Sequence, residues 1–449
     1  MKNRIPFLLL WLVLPGFAQA APAPKDLEKI QHIIVIYLEN HSFDNLYGLF
    51  PGAEGITQAT PEQIQQIDLS GHIYSQLPPI IDNRNKPAII DKRFPDDLPN
   101  QPFEINPYVA ANEKTGDLIH RFYQHQAQIN SGKMNRFATI SDAGGLSMGY
   151  YDGSTLPLWQ YAQRFTLADH FFQAAFGGSF LNHQWLVCAC TPRYDNAPDS
   201  LKAQLSDKGE LIKDGPLTPD GYAVNTMQPR QKPYNAKEKD PEKRLPAQTQ
   251  ATIGDRLSEK KIDWAWYAGG WNDVEAGKPD ESFQFHHQPF VYFQQYAEGS
   301  DARRLHLKDE ADFMAAIASA KLPAVSFYKP IGSLTEHSGY ADLLSGDQHI
   351  ADILTKIEHS PLWKDSVIIV AYDEFGGFWD HLPPPVIDRW GPGNRVPAII
   401  ISPFAKRGYI DHTVYNTTSI LKFIETRFGL APLTERDSKA NDLLNTLNF

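Results

Sequence analysis

Two apolar runs in this chain stop abruptly on oxygen-bearing side chains. Ile33-Ile34-Val35-Ile36-Tyr37-Leu38 runs straight into Glu39-Asn40, and Val367-Ile368-Ile369-Val370-Ala371-Tyr372 into Asp373-Glu374. Runs apolar on both faces suit buried strands of a parallel sheet better than an antiparallel sheet with one wet face. Carboxylates at the end of such a strand are expensive unless a cation or a hydrogen-bonding partner compensates them. One divalent ion shared at a single sheet edge removes the cost for both runs. Glu39, Asn40, Asp373 and Glu374 are therefore candidate ligands for a hard cation, Ca²⁺, Mg²⁺ or Mn²⁺, with Zn²⁺ if a histidine joins. Carboxylates that merely cap helices or face water are the competing explanation.

The strand pattern recurs at Trp264 to Ala268, Ala324 to Tyr328 and Ala398 to Ile401, and helical spacing appears at Leu156 to Phe165, Phe313 to Ala320, Ile350 to Glu358 and Ile420 to Phe428. Strands alternating with helices predict an α/β fold, a largely parallel sheet covered by helices on both faces. Its ligand site is expected at the carboxyl ends of the strands. Residues 60–112 and 192–250 are rich in Pro, Asn, Asp and Lys with weak periodicity, and read as long loop insertions beside the site. One domain over residues 21–449 is the expected organisation.

Met1 to Ala20 resembles an export signal: Lys2 and Arg4, an apolar stretch from Phe7 to Leu14, then Ala18-Gln19-Ala20 for cleavage. The apolar run is too short to span a bilayer, so a periplasmic or secreted protein without a stable membrane anchor is expected. With 53 acidic against 42 basic residues the formal net charge is −11, which argues against a nucleic-acid partner. Nothing implies a protein partner. The two cysteines, Cys188 and Cys190, flank only Ala189. Closing so small a ring strains the preferred disulfide geometry, and buried thiols are expected.

Phe176-Gly177-Gly178-Ser179 supplies a hydroxyl behind two glycines and ahead of an apolar segment, Trp185 to Ala189, that can be helical. Glycine permits close backbone approach to a ligand, and a helix start offers free N–H groups to an anion. Ser179 thus occupies a natural phosphate position, unless it is a plain N-cap. Ser42 reads as structural and Asp44 as the cap of a turn. Imidazole is the natural proton donor to a leaving alkoxide near neutral or mildly acidic pH. His120, His286, His287, His337 and His381 lie in loop-like contexts, and spacing does not choose among them.

Glu39-Asn40-His41-Ser42-Phe43-Asp44, Gly177-Gly178-Ser179-Phe180-Leu181-Asn182-His183 and Tyr372-Asp373-Glu374-Phe375-Gly376-Gly377-Phe378-Trp379-Asp380-His381-Leu382-Pro383-Pro384-Pro385 together closely resemble a bacterial phosphoesterase family. That family contains the respiratory-burst-inhibiting acid phosphatases and the phosphatidylcholine-cleaving phospholipases C. The resemblance runs from about Ile33 to Phe428 and implies an alkaline-phosphatase-like fold. It implies further that Glu39, Asn40, Asp373 and Glu374 hold one divalent metal, that Ser179 is both ligand and nucleophile, and that His120, His286, His287 and His337 surround the transferred phosphate. The Gly-Gly-Ser-Phe-Leu-Asn-His form looks more like the acid phosphatase branch, since the phospholipases C tend to carry a Thr in that region.

The expected chemistry is hydrolysis of a phosphate ester through a phosphoserine. His337 or His120 protonates the departing alcohol, His286 and His287 donate hydrogen bonds to the phosphoryl oxygens, and the pH optimum falls below 7. An acid phosphatase is the first reading and a phospholipase C the second. Phe283, Phe285, Phe290, Tyr292 and Phe293 either line a lipid or choline pocket or belong to the core. A sulfatase is disfavoured because Cys190-Thr191-Pro192-Arg193 brings Arg one position too early for Cys-x-Pro-x-Arg. A non-catalytic binder of metal or phosphate would keep the carboxylates and have no need of Ser179.

Overall fold

The computed structural model describes residues 25–449, so the export signal expected at Met1–Ala20 lies outside the described residues. The main sheet has eight strands: β1 (His32–Leu38), β2 (Thr166–Ala168), β3 (Trp264–Ala268), β4 (Leu307–Asp309), β5 (Val325–Lys329), β6 (Ser366–Tyr372), β7 (Ala398–Ile401) and β8 (Tyr409–Asp411), in the spatial order β4-β3-β5-β1-β6-β7-β2-β8. All pairings are parallel except the two made by β7, which runs against both neighbours. β1 lies at the centre, between β5 and β6, and its residues 33–38 are wholly buried, as its apolar run on both faces requires.

Six helices matter for the site: α1 (Phe43–Tyr47), α2 (Pro157–Arg164), α3 (Ser179–Cys188), α4 (Glu310–Ala318), α5 (Leu343–Glu358) and α6 (Thr417–Phe428). Side chains alternate across the sheet, which sorts the helices onto two faces. Tyr37 reaches the Asn182 carbonyl of α3 at 3.5 Å, and α3 packs on α6. Tyr328, in register with Ile36 and so on the opposite face, contacts His349 of α5 at 2.7 Å and stacks on Phe313 of α4. Tyr161 of α2 bonds Thr355 of α5 on that second face. The sheet is therefore covered on both sides, an α/β architecture.

The observed elements shift several expected limits. β5 extends to Lys329, one residue past the expected strand, and α5 begins at Leu343 rather than Ile350 because Asp342 caps it, accepting from Ser345 N–H. Cys188 and Cys190 form a disulfide, against the thiols expected. Ala189, left-handed at φ 48° as the C-cap of α3, turns the chain sharply enough to hold the two Cα atoms 5.1 Å apart, inside the bridging range. Residues 60–112 and 192–250 hold only short elements.

Candidate active site

Parallel strands deliver their carboxyl ends to one edge. Leu38 and Tyr372 are register partners, so Glu39 and Asp373 emerge side by side, and Asp373 N–H donates to the Leu38 carbonyl at 3.0 Å. Ser179 comes from the opposite direction, as the first residue of α3. Gly177 makes this approach possible: its φ of 84° is left-handed, and a Cβ there would lie 2.8 Å from Phe122 N and 2.9 Å from Phe122 Cα. A Cβ on Gly178 would meet the His120 carbonyl at 2.9 Å. The Ser179 hydroxyl consequently lies 3.2 Å from Asn40 Oδ1 and 3.3 Å from Glu374 Oε1. Residues 139 and 195 positions apart in the chain meet at one oxygen.

Glu39 is held by other groups. Its Oε1 lies 2.6 Å from His287 Nε2 and 3.0 Å from Lys329 Nζ, while Oε2 accepts from the Tyr340 hydroxyl at 2.9 Å. Lys329 also comes within 3.9 Å of Asp373 Oδ2. Glu39, Asp373, Glu374 and Lys329 are fully buried. Burial pushes Asp373 up to about 8, with Lys329 pulling down and Glu39 repelling, and it holds Glu374 well above the usual carboxylate range, with Asp373 adding to the shift. For Glu39 burial also pushes upward, but His287 and Lys329 outweigh it and hold the carboxyl well below its usual range. Burial keeps His120 and His286 below the ordinary imidazole value and brings His287 down to about 4.

The donor set fits a cation. Both oxygens of Asp373 are buried without a hydrogen-bond partner, an arrangement that costs several kcal/mol in a dry interior unless an ion takes the lone pairs. With all three buried carboxylates ionised, the site carries three negative charges. Lys329 offsets one, and a single divalent ion offsets the other two.

A cavity of about 330 Å³ opens beside Ser179. Its walls include His120, His286, His337, Arg121, Phe180 and Tyr340. His120 Nε2 lies 3.6 Å from Glu374 Oε1, and the rings of His120 and His337 are 5.3 Å apart. Of the four histidines expected around the phosphate, three line the cavity; His287 lies behind it, against Glu39. His381 is elsewhere, its Nδ1 2.6 Å from Asp44 Oδ2 in a buried cluster where Arg395 also pairs with Asp44 and Asp380. Ser42 caps α1 and donates to the Trp379 carbonyl, so the first and last motifs are stitched together behind the site. Phe290, Tyr292 and Phe293 are core residues, and neither they nor Phe283 and Phe285 reach the cavity wall.

Sequence reasoning passed over Lys329, Tyr340 and His183. His183 stacks on His287 at 5.4 Å and lies 3.5 Å from Asp373 Oδ2. The signal for Lys329 was present: like Glu39 and Asp373, it is a buried charged residue at the end of a buried strand of this sheet.

A family model described as the Phosphoesterase family matches residues 30–431. The chain belongs to the Phosphoesterase family. This phosphoesterase is 25% identical to Phospholipase C B of Mycobacterium tuberculosis over 96% of its own length and 80% of the relative's, and 24% identical to Phospholipase C A of the same organism over 99% and 82%. Against Non-hemolytic phospholipase C of Pseudomonas aeruginosa identity is 22%, over 97% of this chain and 60% of the other. A Vibrio parahaemolyticus structure described as a protein in the alkaline phosphatase superfamily aligns with 74% of this phosphoesterase and 73% of that chain, at 11% identity and a TM-score of 0.35. The protein is a hydrolase acting on phosphoric ester bonds. No helix among the described residues is long and apolar enough to cross a membrane.

Proposed function

We propose that this phosphoesterase is an exported, metal-dependent acid phosphatase that works through a phosphoserine at Ser179, from a single domain over residues 21–449. The observation that carries the reading is the Ser179 hydroxyl within hydrogen-bonding distance of Asn40 and Glu374, beside a cavity walled by His120, His286 and His337. A divalent cation held by Glu39, Asn40, Ser179, Asp373 and Glu374 would lower the pKa of the serine hydroxyl and draw charge from the phosphoryl oxygens.

The chain's own groups do the rest. Ser179 Oγ attacks phosphorus in line with the leaving oxygen; the Oγ–P bond forms as the P–O bond to the alcohol breaks, and Glu374 Oε1 stands within reach of the hydroxyl proton. His337 or His120 protonates the departing alkoxide, and the same imidazole then takes a proton from the water that cleaves the phosphoserine. His286 donates a hydrogen bond to a phosphoryl oxygen. His287 acts through Glu39, whose carboxylate it orients together with Lys329 and Tyr340. A donor imidazole must begin protonated, so turnover is expected to peak below pH 7, and an optimum above 8 would remove histidine from this role.

A cavity of about 330 Å³ lies at the small end of ligand sites, which suits a compact phosphate monoester. Phospholipase C activity is the second reading, favoured by the names of the relatives. Turnover of p-nitrophenyl phosphate, p-nitrophenylphosphorylcholine and phosphatidylcholine, with and without chelator, separates the two. Ser179→Ala is expected to lower turnover of whichever substrate is used by at least about a thousandfold while leaving the melting temperature intact. Equal rates in the variant and the wild type would dismiss Ser179 as nucleophile, and no turnover in either would favour a non-catalytic binder.

A further inference from the structure

A second set of metal-ligating side chains lies at the same sheet edge, two strands from β6. Ala168 and Asp411 are register partners in β2 and β8, and Asp169 N–H donates to the Asp411 carbonyl at 3.2 Å. Asp169 and His412 therefore leave adjacent strands side by side. His412 Nδ1 lies 2.9 Å from both Asp169 oxygens. One ligand atom each from Asp169, His170 and His412 falls within 4.8 Å of the others. Glu54 borders the group: its Oε2 lies 2.8 Å from His170 Nε2, and its main-chain N–H donates to Asp169 Oδ2 at 2.8 Å.

Charge sets this cluster apart from an ordinary ion-pair network. Two carboxylates face two imidazoles, and among the described residues no lysine or arginine forms an ion pair with Asp169 or Glu54. Arg395 is adjacent, yet its guanidinium pairs with Asp44 and Asp380 and gives Asp169 and Glu54 hydrogen bonds only at their main-chain carbonyls. The Asp169 side chain is wholly buried, whereas that of His412 is 59% exposed. The cluster thus has an anchored floor and an open mouth. Two imidazole nitrogens and a carboxylate at this spacing, with the Glu54 carboxylate against His170, suit a transition-type ion of low coordination number better than Ca²⁺ or Mg²⁺.

We propose that Asp169, His170, His412 and Glu54 form a second metal site, separate from the catalytic centre, that takes Zn²⁺ or a similar ion. Binding requires each coordinating imidazole nitrogen to be free of its proton. The ion joins the segment after α1, through Glu54, to β2 and β8, and so works as a staple rather than as a reagent. The inference does not depend on the reaction assigned to Ser179.

The test compares the full chain with His170→Ala/His412→Ala and with Glu54→Gln, none of which touches the catalytic centre. Zinc bound per chain is counted by equilibrium dialysis and elemental analysis, and Co²⁺ replaces zinc for visible spectroscopy. The wild type is expected to hold one ion more than the double variant, and its tetrahedral Co²⁺ band is expected to vanish in that variant. Glu54→Gln, the gentler change, is expected to weaken this site about tenfold or more, and it decides the matter should the double variant fold poorly. Equal ion counts in all three proteins would overturn the proposal. So would a single ion in the wild type that Asp373→Asn removes and the histidine variants retain.

Discussion

Lys329 sits where no lysine is expected, at the end of a buried strand with no exposure and with its Nζ between Glu39 and Asp373. Removing one partner of a buried ion pair leaves the others uncompensated. Lys329→Met keeps most of the side-chain volume and deletes the charge, and it is expected to cost about 3–5 kcal/mol in urea unfolding of the chelated protein; a loss under about 1 kcal/mol would mean that the ammonium does little for Glu39. Glu39, Asn40, Asp373 and Glu374 were legible in the sequence because polar pairs closing apolar runs break the pattern of a buried strand. Lys329 broke it in the same way, but the expected strand stopped at Tyr328. His287 misled for another reason. It follows His286 directly, yet consecutive residues of a 3₁₀ turn (Phe285–His287) point in different directions, so one imidazole lines the cavity and the other turns back onto Glu39.

At the scale of elements, the turn before α3 decides where the nucleophile stands. Gly177→Ala forces a side chain into a left-handed conformation and against the Phe122 backbone. The change is expected to cost about 1–3 kcal/mol of stability and to lower turnover as Ser179 moves from Asn40 and Glu374. Thermal unfolding and steady-state kinetics check both effects, and an unaltered protein would show that the turn tolerates a Cβ. The helices were less legible than the strands. The first turns of α5 contain Ser345, Gly346 and Asp347, which interrupt the apolar spacing. Gly346 nevertheless packs where a Cβ would lie 2.4 Å from Glu336 Cγ, and Asp347 accepts from Leu158 N–H at 2.9 Å. Polar residues chosen for such contacts carry no hydrophobic period. The disulfide was missed because spacing alone does not reveal the left-handed Ala189.

For the whole molecule, the chain between residues 118 and 178 is tied to the last motif by His125. Its ring stacks on Phe375 at 3.7 Å, its Nδ1 accepts from Gly177 N–H, and its Nε2 contacts Asn394 Oδ1. Burial brings His125 down to about 3. The unfolded imidazole takes up a proton near pH 6.5 and the folded one does not until about pH 3. Its contribution to stability is therefore whole above 6.5 and is lost as the pH falls through that window, by about 1.4 kcal/mol per unit at most. His125→Gln is expected to flatten the acid limb of stability against pH by up to one proton, measured by urea unfolding between pH 6.5 and 4; parallel limbs would rule His125 out as a contributor. The direction of β7 has a consequence of its own. β6 arrives at the edge that carries Asp373, and β7 leaves from that same edge, so the span from Asp373 to Pro397 starts and finishes on neighbouring strands without crossing the sheet. A parallel return would have carried the chain to the far edge and back through a helix. Because β7 runs the other way, Asp380, His381 and Arg395 stay tethered at both ends like the deck of a short bridge, while the tip at Val386, fully exposed, is where evolution could add or remove length without shifting either abutment.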